Sequence, residues 1–234
     1  MNYALIFAGG IGSRMGSKIP KQFLKVDQKP IIIHVMEKFS THNLIDGLIV
    51  VCKKEYIDTC KAFINKFQIQ KVIDVIPGGK TGQESIGQGL RYLIENVSVT
   101  PKQDIVLIHD GVRPLIDHDL ITRSIRCTQE NGNSIAVSPA IETVIRVDSN
   151  GHIVETVDRS CCRNAKAPQC FVLAAIWSVH KRANQEGRTM IDSATLMSYY
   201  GHQLFITECS PDNIKITTPN DYYMFKGMYE AGFR

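Results

Sequence analysis

From Tyr3 to His109 the chain repeats one alternation: a short apolar run, a loop, then an amphipathic stretch. The runs are Tyr3–Ala8, Leu48–Cys52, Lys71–Ile76 and Asp104–His109. Between them, Ile31–Phe39 has helical spacing after Pro30, Tyr56–Phe67 reads as a helix, and Gln83–Asn96 puts Ile86, Leu90 and Leu93 on one face. Repeated β–loop–α units predict an α/β fold: a mostly parallel sheet with helices on both faces, wound right-handed. Ligands of such sheets bind outside the carboxyl ends of the strands. The loops after Ala8, Ile76 and His109 are therefore where chemistry is expected.

The rhythm changes in the middle. Ser134–Pro139, Glu142–Val147 and Ile153–Val157 are β-rich, and Asn150-Gly151 between the last two is a hairpin signal. Such a hairpin is an arm or a lid. The reading continues with a break at Pro168-Gln169, a helix near Leu173–Glu186 and a helix over Asp192–Tyr200. Short strands near Leu204–Thr207 and Ile214–Ile216 come next, then a helix after Pro219. No repeat, low-complexity tract or linker divides residues 1–234, so a single domain is expected.

Composition excludes several classes. With 44% hydrophobic and 21% charged residues the chain is neither disordered nor a coiled coil. The net charge of +4 is a mild bias toward anionic ligands, far from the basic stripe of a nucleic-acid binder. No apolar run approaches the roughly 18 residues of a membrane helix, and MNYALIFAGG reads as a first strand rather than a signal peptide. Seven irregularly spaced cysteines point to reduced thiols and a cytoplasmic protein. No histidine pair has metal-ligand spacing.

Three segments carry chemistry. Ala8-Gly9-Gly10-Ile11-Gly12-Ser13-Arg14, followed by Pro20-Lys21-Gln22, is a strand feeding a glycine-rich loop. Its backbone N–H groups are available to phosphate oxygens. The spacing is neither GxGxxG nor GxxxxGK[ST], which disfavours a dinucleotide fold or a P-loop. Arg14 can fork onto phosphate oxygens and Lys21 supplies a point charge; the alternative is an ordinary turn with solvated charges. In the second segment, His109-Asp110-Gly111-Val112-Arg113-Pro114, the Asp110 carboxylate is placed to hold Mg²⁺ against a triphosphate. Equally, Asp110 is a helix cap with Arg113 as its ion-pair partner. The third is Asp212-Asn213-Ile214-Lys215-Ile216-Thr217, where Lys215 between apolar neighbours points away from them. Read alone, a solvated edge-strand lysine is favoured there.

Together AGGIGSRMGSKIPKQF, HDGVRP, TVDR, APQ and DNIKIT, in this order and spacing, resemble the cytidylyltransferases of sugar-alcohol phosphates. The resemblance spans essentially the whole chain. It implies a Rossmann-like nucleotidyltransferase sheet with a projecting β-arm at residues 139–160, exchanged between the subunits of a homodimer. It implies CTP as co-substrate with Mg²⁺, and neither nucleic acid nor membrane as partner. It makes Arg14, Lys21 and Lys215 the catalytic cations. Ala8, Gly9, Gly10, Gly12, Gly79, Lys80, Ser85 and Gly111 would bind nucleotide. Asp110, with Arg113, Thr143 and Arg159, would bind the alditol phosphate, Asp110 also serving the metal.

The chain departs from the family pattern in places. Gly82 stands where GGxxRxxS has arginine, with Lys80 as a substitute; Ala167 replaces the threonine of TPQ; Ile191-Asp192-Ser193-Ala194 lacks the second acidic residue of the erythritol enzymes. The last departure favours D-ribitol 5-phosphate over 2-C-methyl-D-erythritol 4-phosphate as substrate. A sugar-1-phosphate nucleotidyltransferase and a non-catalytic nucleotide-binding protein are further alternatives.

Overall fold

The computed structural model describes residues 1–10, 16 and 19–232. In chain order the first half comprises β1 (Asn2–Ala8), β2 (Lys25–Val26), β3 (Lys29–Pro30), α1 (Ile31–Ser40), β4 (Gly47–Cys52) and α2 (Ile57–Lys66). It continues with β5 (Val72–Pro77), α3 (Gly82–Asn96), β6 (Ile105–Asp110) and α4 (His118–Asn131). Next come β7 (Asn133–Pro139), β8 (Val144–Val147), β9 (Ile153–Val157) and β10 (Arg163–Val172). The chain closes with α5 (Leu173–Gln185), α6 (Ser193–Tyr199), β11 (Ile206–Glu208) and α7 (Pro219–Glu230).

Seven strands form the central sheet in the order β11-β7-β10-β6-β1-β4-β5. β5, β4, β1 and β6 are parallel, β10 is antiparallel to both β6 and β7, and β11 runs parallel to β7. The side-chain period of two sorts the core. Ala4 and Ile6 of β1 face the layer that includes Phe39 of α1 and Ile121 of α4. Tyr3 and Leu5 face the layer of Leu90 and Leu93 of α3 and Ile176 of α5. β4 is buried along its whole length, as a strand covered on both faces must be.

The order places the site. From β1 the chain adds β4 and β5 on one side, then crosses to lay β6 on the other. The crevice between the carboxyl ends of β1 and β6 is thus a topological switch point. Register pairs Phe7 with Asp110 there, and the Gly111 N–H donates to the Phe7 carbonyl at 3.0 Å.

Two expectations are corrected, and one helix was not foreseen. The chain does not break at Pro168-Gln169: β10 runs through both, and its register against β7 shifts between Ala165 and Gln169. A proline is tolerated at such an irregularity because no ladder N–H is required of it. Residues 214–216 are not a strand; the Ile216 N–H donates to the Val112 carbonyl and Lys21 Nζ to the Ile216 carbonyl, each at 2.9 Å, and these bonds fix them. α4 went unread because its stripe holds few apolar residues: Ser124 and Thr128 are buried beside Leu120, Ile121 and Ile125.

Outside the sheet, β8 and β9 pair as an antiparallel hairpin and form the arm. Asp148 closes its turn, one carboxylate oxygen accepting from the N–H groups of Asn150 and His152 at 2.9 Å each. Gly151 takes the positive φ of 87° that this turn requires.

Candidate active site

Two chambers open at the carboxyl edge of the sheet and share Phe7, Gly82, Asp110 and Lys215 as wall. The first, about 480 Å³, lies over the loops that follow β1 and β5. Ala8, Gly9, Gly10, Gly79, Lys80 and Ser85, read from the sequence as nucleotide contacts, all line it, and so does Lys21, read as a catalytic cation. Gly12 and Arg14 lie outside the described residues. Gly111 does not line the chamber: a Cβ there would stand 3.0 Å from Ala8 Cβ and 3.3 Å from the Phe7 carbonyl oxygen, so its role is to let β6 end against β1.

The glycine loop is held from below. Gln22 is buried and its carboxamide donates to the Ala8 carbonyl at 2.8 Å. Lys21, also buried, donates from Nζ to the Ile216 carbonyl at 2.9 Å. On the facing wall Thr81 caps α3, accepting from the Glu84 N–H at 3.1 Å. Ser85 Oγ accepts from the Gly79 N–H at 3.2 Å and donates to the Thr81 carbonyl at 2.8 Å. The Lys80 N–H is bonded to the Glu84 carboxylate at 2.8 Å. A Cβ at Gly82 would meet nothing within 4 Å, so nothing in the fold demands glycine there.

Where the chambers meet, Asp110 ends β6 with its carboxylate between two cations. Lys215 Nζ lies 2.6 Å from Oδ1 and Arg113 Nε lies 3.0 Å from Oδ2. Burial would push the Asp110 carboxyl up, but the charges of Lys215 and Arg113 outweigh it and hold it below the usual carboxylate range. Lys215 is thus ion-paired to a buried carboxylate and lies outside any described strand, with its side chain still 44% exposed. Asp110 is not a helix cap; Asp117 caps α4, accepting from the Leu120 N–H at 2.6 Å. The Arg113 guanidinium also donates to the Asn213 carbonyl at 2.7 Å, and the Asn213 carboxamide donates to the Ala167 carbonyl at 2.7 Å. This chain of bonds ties the segment that carries Lys215 to the loop after β6 and to β10. His109 is fully buried and bonded through Nε2 to the Arg113 carbonyl at 3.1 Å. Burial drives its pKa down to about 4, so it is a neutral structural neighbour of Asp110.

The second chamber, about 320 Å³, includes Arg113, Lys166, Gln169, His180, Asp192 and Ser193 in its wall. Thr143 and Arg159 line neither chamber within one chain; both lie at the base of the arm, where Arg159 donates to the Ile141 carbonyl at 2.9 Å. Sequence reasoning missed Lys53, which lines the first chamber one residue after β4. The rule that directed attention to the other strand ends applied equally to that one. It also missed the structural parts of Gln22 and Asn213, which stand inside motifs and whose carboxamides donate to the Ala8 and Ala167 carbonyls.

Comparison with known proteins agrees with this geometry. The profile of the family described as 2-C-methyl-D-erythritol 4-phosphate cytidylyltransferase (IspD) matches residues 3–228. A ribitol-5-phosphate cytidylyltransferase of Vibrio parahaemolyticus is 45% identical over 233 residues, 99% of this chain and 97% of that one. A 2-C-methyl-D-erythritol 4-phosphate cytidylyltransferase of Clostridium botulinum is 34% identical over 229 residues, 98% and 97% of the two chains. Among solved structures, 4-diphosphocytidyl-2C-methyl-D-erythritol synthase of Anaerococcus prevotii superposes with a TM-score of 0.83 at 24% identity, covering 98% of this chain and 96% of that one. The 2-C-methyl-D-erythritol 4-phosphate cytidylyltransferase of Francisella tularensis gives 0.76 at 27% identity, with 96% and 99% covered.

Proposed function

The chain belongs to the IspD family of CTP-dependent cytidylyltransferases, and from that premise we propose that it transfers CMP from CTP to D-ribitol 5-phosphate, releasing pyrophosphate. One observation carries the choice of alditol: relatives named for ribitol 5-phosphate match at 38–45% identity, against 34% for those named for the methylerythritol phosphate. The methylerythritol phosphate remains the second reading, since the family profile bears that description.

In the proposed reaction a phosphate oxygen of the alditol phosphate attacks the α-phosphorus of CTP as the bond to pyrophosphate breaks in line. Both reactants are anions, and the phosphate is already a competent nucleophile near neutral pH. The work left to the protein is to hold the two together and to neutralise charge on the equatorial and leaving oxygens. The junction of the chambers suits this. Lys21 and Lys215 bring ammonium groups to the first chamber, and Lys53 and Lys80 add charge at its wall. Arg113 brings a guanidinium to the second. Arg14 completes this set in our reading. The reading of Thr143 and Arg159 as alditol-phosphate contacts requires a partner subunit's chamber.

Asp110 is the one acidic residue among the described lining of the first chamber, and Asp192 joins it in the second. Mg²⁺ is commonly held by one or two carboxylates together with substrate phosphates, so this donor set fits it, with Asp110 as the protein ligand. When bound, Mg²⁺ would neutralise phosphate charge.

Dimerisation through the arm is likewise a proposal. It is supported by Ile141, Ile145, Val147, Ile153 and Val154, apolar side chains exposed in and beside the hairpin. No described helix is long and apolar enough to cross a membrane. The seven cysteines are all free, which fits our placement of the protein in the reducing cytoplasm.

Pyrophosphate release from CTP, measured side by side with D-ribitol 5-phosphate and 2-C-methyl-D-erythritol 4-phosphate, with and without EDTA, tests the proposal. We expect ribitol 5-phosphate to lead by at least about tenfold in kcat/KM, equivalent to about 1.4 kcal/mol. We expect EDTA to abolish turnover. A lead for the methylerythritol phosphate would transfer the protein to the second reading.

A further inference from the structure

The second chamber contains two buried polar side chains with no hydrogen-bond partner among the described residues. Ser193 is 2% exposed and its Oγ is unpaired; His180 is 5% exposed and its Nε2 is unpaired. Both residues line this chamber and neither lines the first; His180 also borders a neighbouring cavity of about 160 Å³, whereas Ser193 does not. Buried polar atoms are almost always paired, so two unpaired ones in one cavity wall call for a partner that arrives with a ligand.

The surrounding residues are already committed. The Gln169 carboxamide donates to Asp192 Oδ2 at 2.9 Å and accepts from the Ala194 N–H at 3.0 Å. Asp192 Oδ1 caps α6 by accepting from the Thr195 N–H at 2.7 Å. This clamp fixes the backbone on both sides of Ser193 and leaves its hydroxyl unengaged. That hydroxyl turns about a single bond between staggered positions, and it can donate or accept. His180 is held neutral near pH 7 by burial, which lowers its pKa to about 4, so its ring offers one N–H and one lone pair. Neutral groups of this kind match substrate hydroxyls, whereas phosphate is matched by the cations where the chambers meet.

We propose that Ser193, together with His180, determines specificity for the polyol by pairing with an alditol hydroxyl remote from the phosphate. The inference rests on the alditol-phosphate reading given above. D-Ribitol 5-phosphate has a hydroxyl on every carbon that lacks the phosphate, so it can satisfy both groups. A substrate without the matching hydroxyl leaves them buried and unpaired, which is the strongest form of discrimination a polar pocket has.

The test compares kcat/KM for D-ribitol 5-phosphate with its 1-deoxy, 2-deoxy and 3-deoxy analogues in the full-length wild type, Ser193→Ala and His180→Phe. We expect one deoxy position to cost the wild type about 10- to 100-fold. Ser193→Ala should lower kcat/KM for ribitol 5-phosphate by a similar factor and no longer distinguish that analogue, with KM for CTP unchanged. Its melting temperature should equal or exceed that of the wild type, because the hydroxyl removed has no partner in the fold. His180→Phe keeps the ring shape and should weaken discrimination at the same or the neighbouring position. Wild-type turnover of ribitol 5-phosphate with full discrimination kept in Ser193→Ala, or with an equal loss for every analogue, overturns the assignment alone. Absence of wild-type turnover with any alditol phosphate overturns the parent reading, and this one with it.

Discussion

Lys215 and Asp110 come from opposite halves of the chain and meet at 2.6 Å, ammonium to carboxylate, where the two chambers join. Asp110 is buried with Arg113 at its other oxygen, whereas Lys215 is partly exposed. The carboxylate thus holds the lysine at the edge of the cavity; in our proposed reaction the ammonium passes from it to a phosphate.

Lys215→Ala should therefore lower kcat on the order of 10²–10³-fold, the effect of losing one donor to developing charge. Folding should survive, since Arg113 still pairs with Asp110. Lys215→Arg keeps the charge but not the compact reach, and should restore only part of the rate. Steady-state pyrophosphate release, alongside thermal melts, separates rate from stability; an unchanged kcat in Lys215→Ala would remove Lys215 from the chemistry.

Two glycines should respond oppositely to the same substitution. Gly111→Ala places a methyl group 3.0 Å from Ala8 Cβ and should destabilise the fold by about 1–3 kcal/mol. Gly82→Ala meets open space at the start of α3 and should stabilise by up to about 1 kcal/mol through the unfolded chain. Urea denaturation of both variants checks the sign of each change.

Acid should weaken the fold before the carboxylates titrate. His109 and His180 are buried and neutral, with pKa values lowered from 6.5 to about 4. Between those values the unfolded chain binds protons that the folded chain refuses. Stability is then full above pH 6.5 and falls as the pH drops toward 4, by at most about 3 kcal/mol per histidine. The depressed pKa of Asp110 adds a further loss at lower pH, from its unfolded value near 4 downward. Urea midpoints between pH 7 and 4.5 should decline, and His180→Leu should make the decline shallower. A midpoint independent of pH in the wild type would contradict the account.

Paired charge substitutions on the arm, Ile145→Glu with Ile153→Lys, should shift the protein from dimer to monomer in light scattering. Melting should change little, since both side chains are exposed within one chain. Activity should fall, because Thr143 and Arg159 sit beside this surface and line neither of the two chambers. A monomeric, fully active variant would place the alditol site within one chain.

β1, β4 and β6 were legible because they are largely buried and read as apolar runs, whereas β5, at the sheet edge and interrupted by Asp74, was legible from its place in the alternation. The loops after Ala8 and His109 followed from the strand-end rule. What could not be read depended on partners distant in sequence. Pro168 looks like a break until β7 and β6 flank it. Ile214–Ile216 has the pattern of a strand, but Val112 and Lys21 rather than a sheet neighbour fix it. The direction of the Lys215 ammonium is set by Asp110, which no local pattern reveals. Ser193 stood out only as a departure from a motif, and its unpaired hydroxyl is visible only once α6 is docked against Gln169.

Val112, Ile216 and Phe225 form a small apolar cluster with Val26 and Ile31, and Phe225 is 1% exposed. The loop that presents Asp110 and the segment that presents Lys215 therefore rest on one strut, helix α7. The Ile216 N–H also bonds directly to the Val112 carbonyl at 2.9 Å, so the two are joined both beside the helix and through it. Widening of the first chamber falls to its facing wall, residues 78–82, whose contacts to Ser85 and Glu84 are short-range hydrogen bonds rather than buried apolar surface. One side of the first chamber's mouth thus stands on buried apolar surface, and the other is held together by local hydrogen bonds.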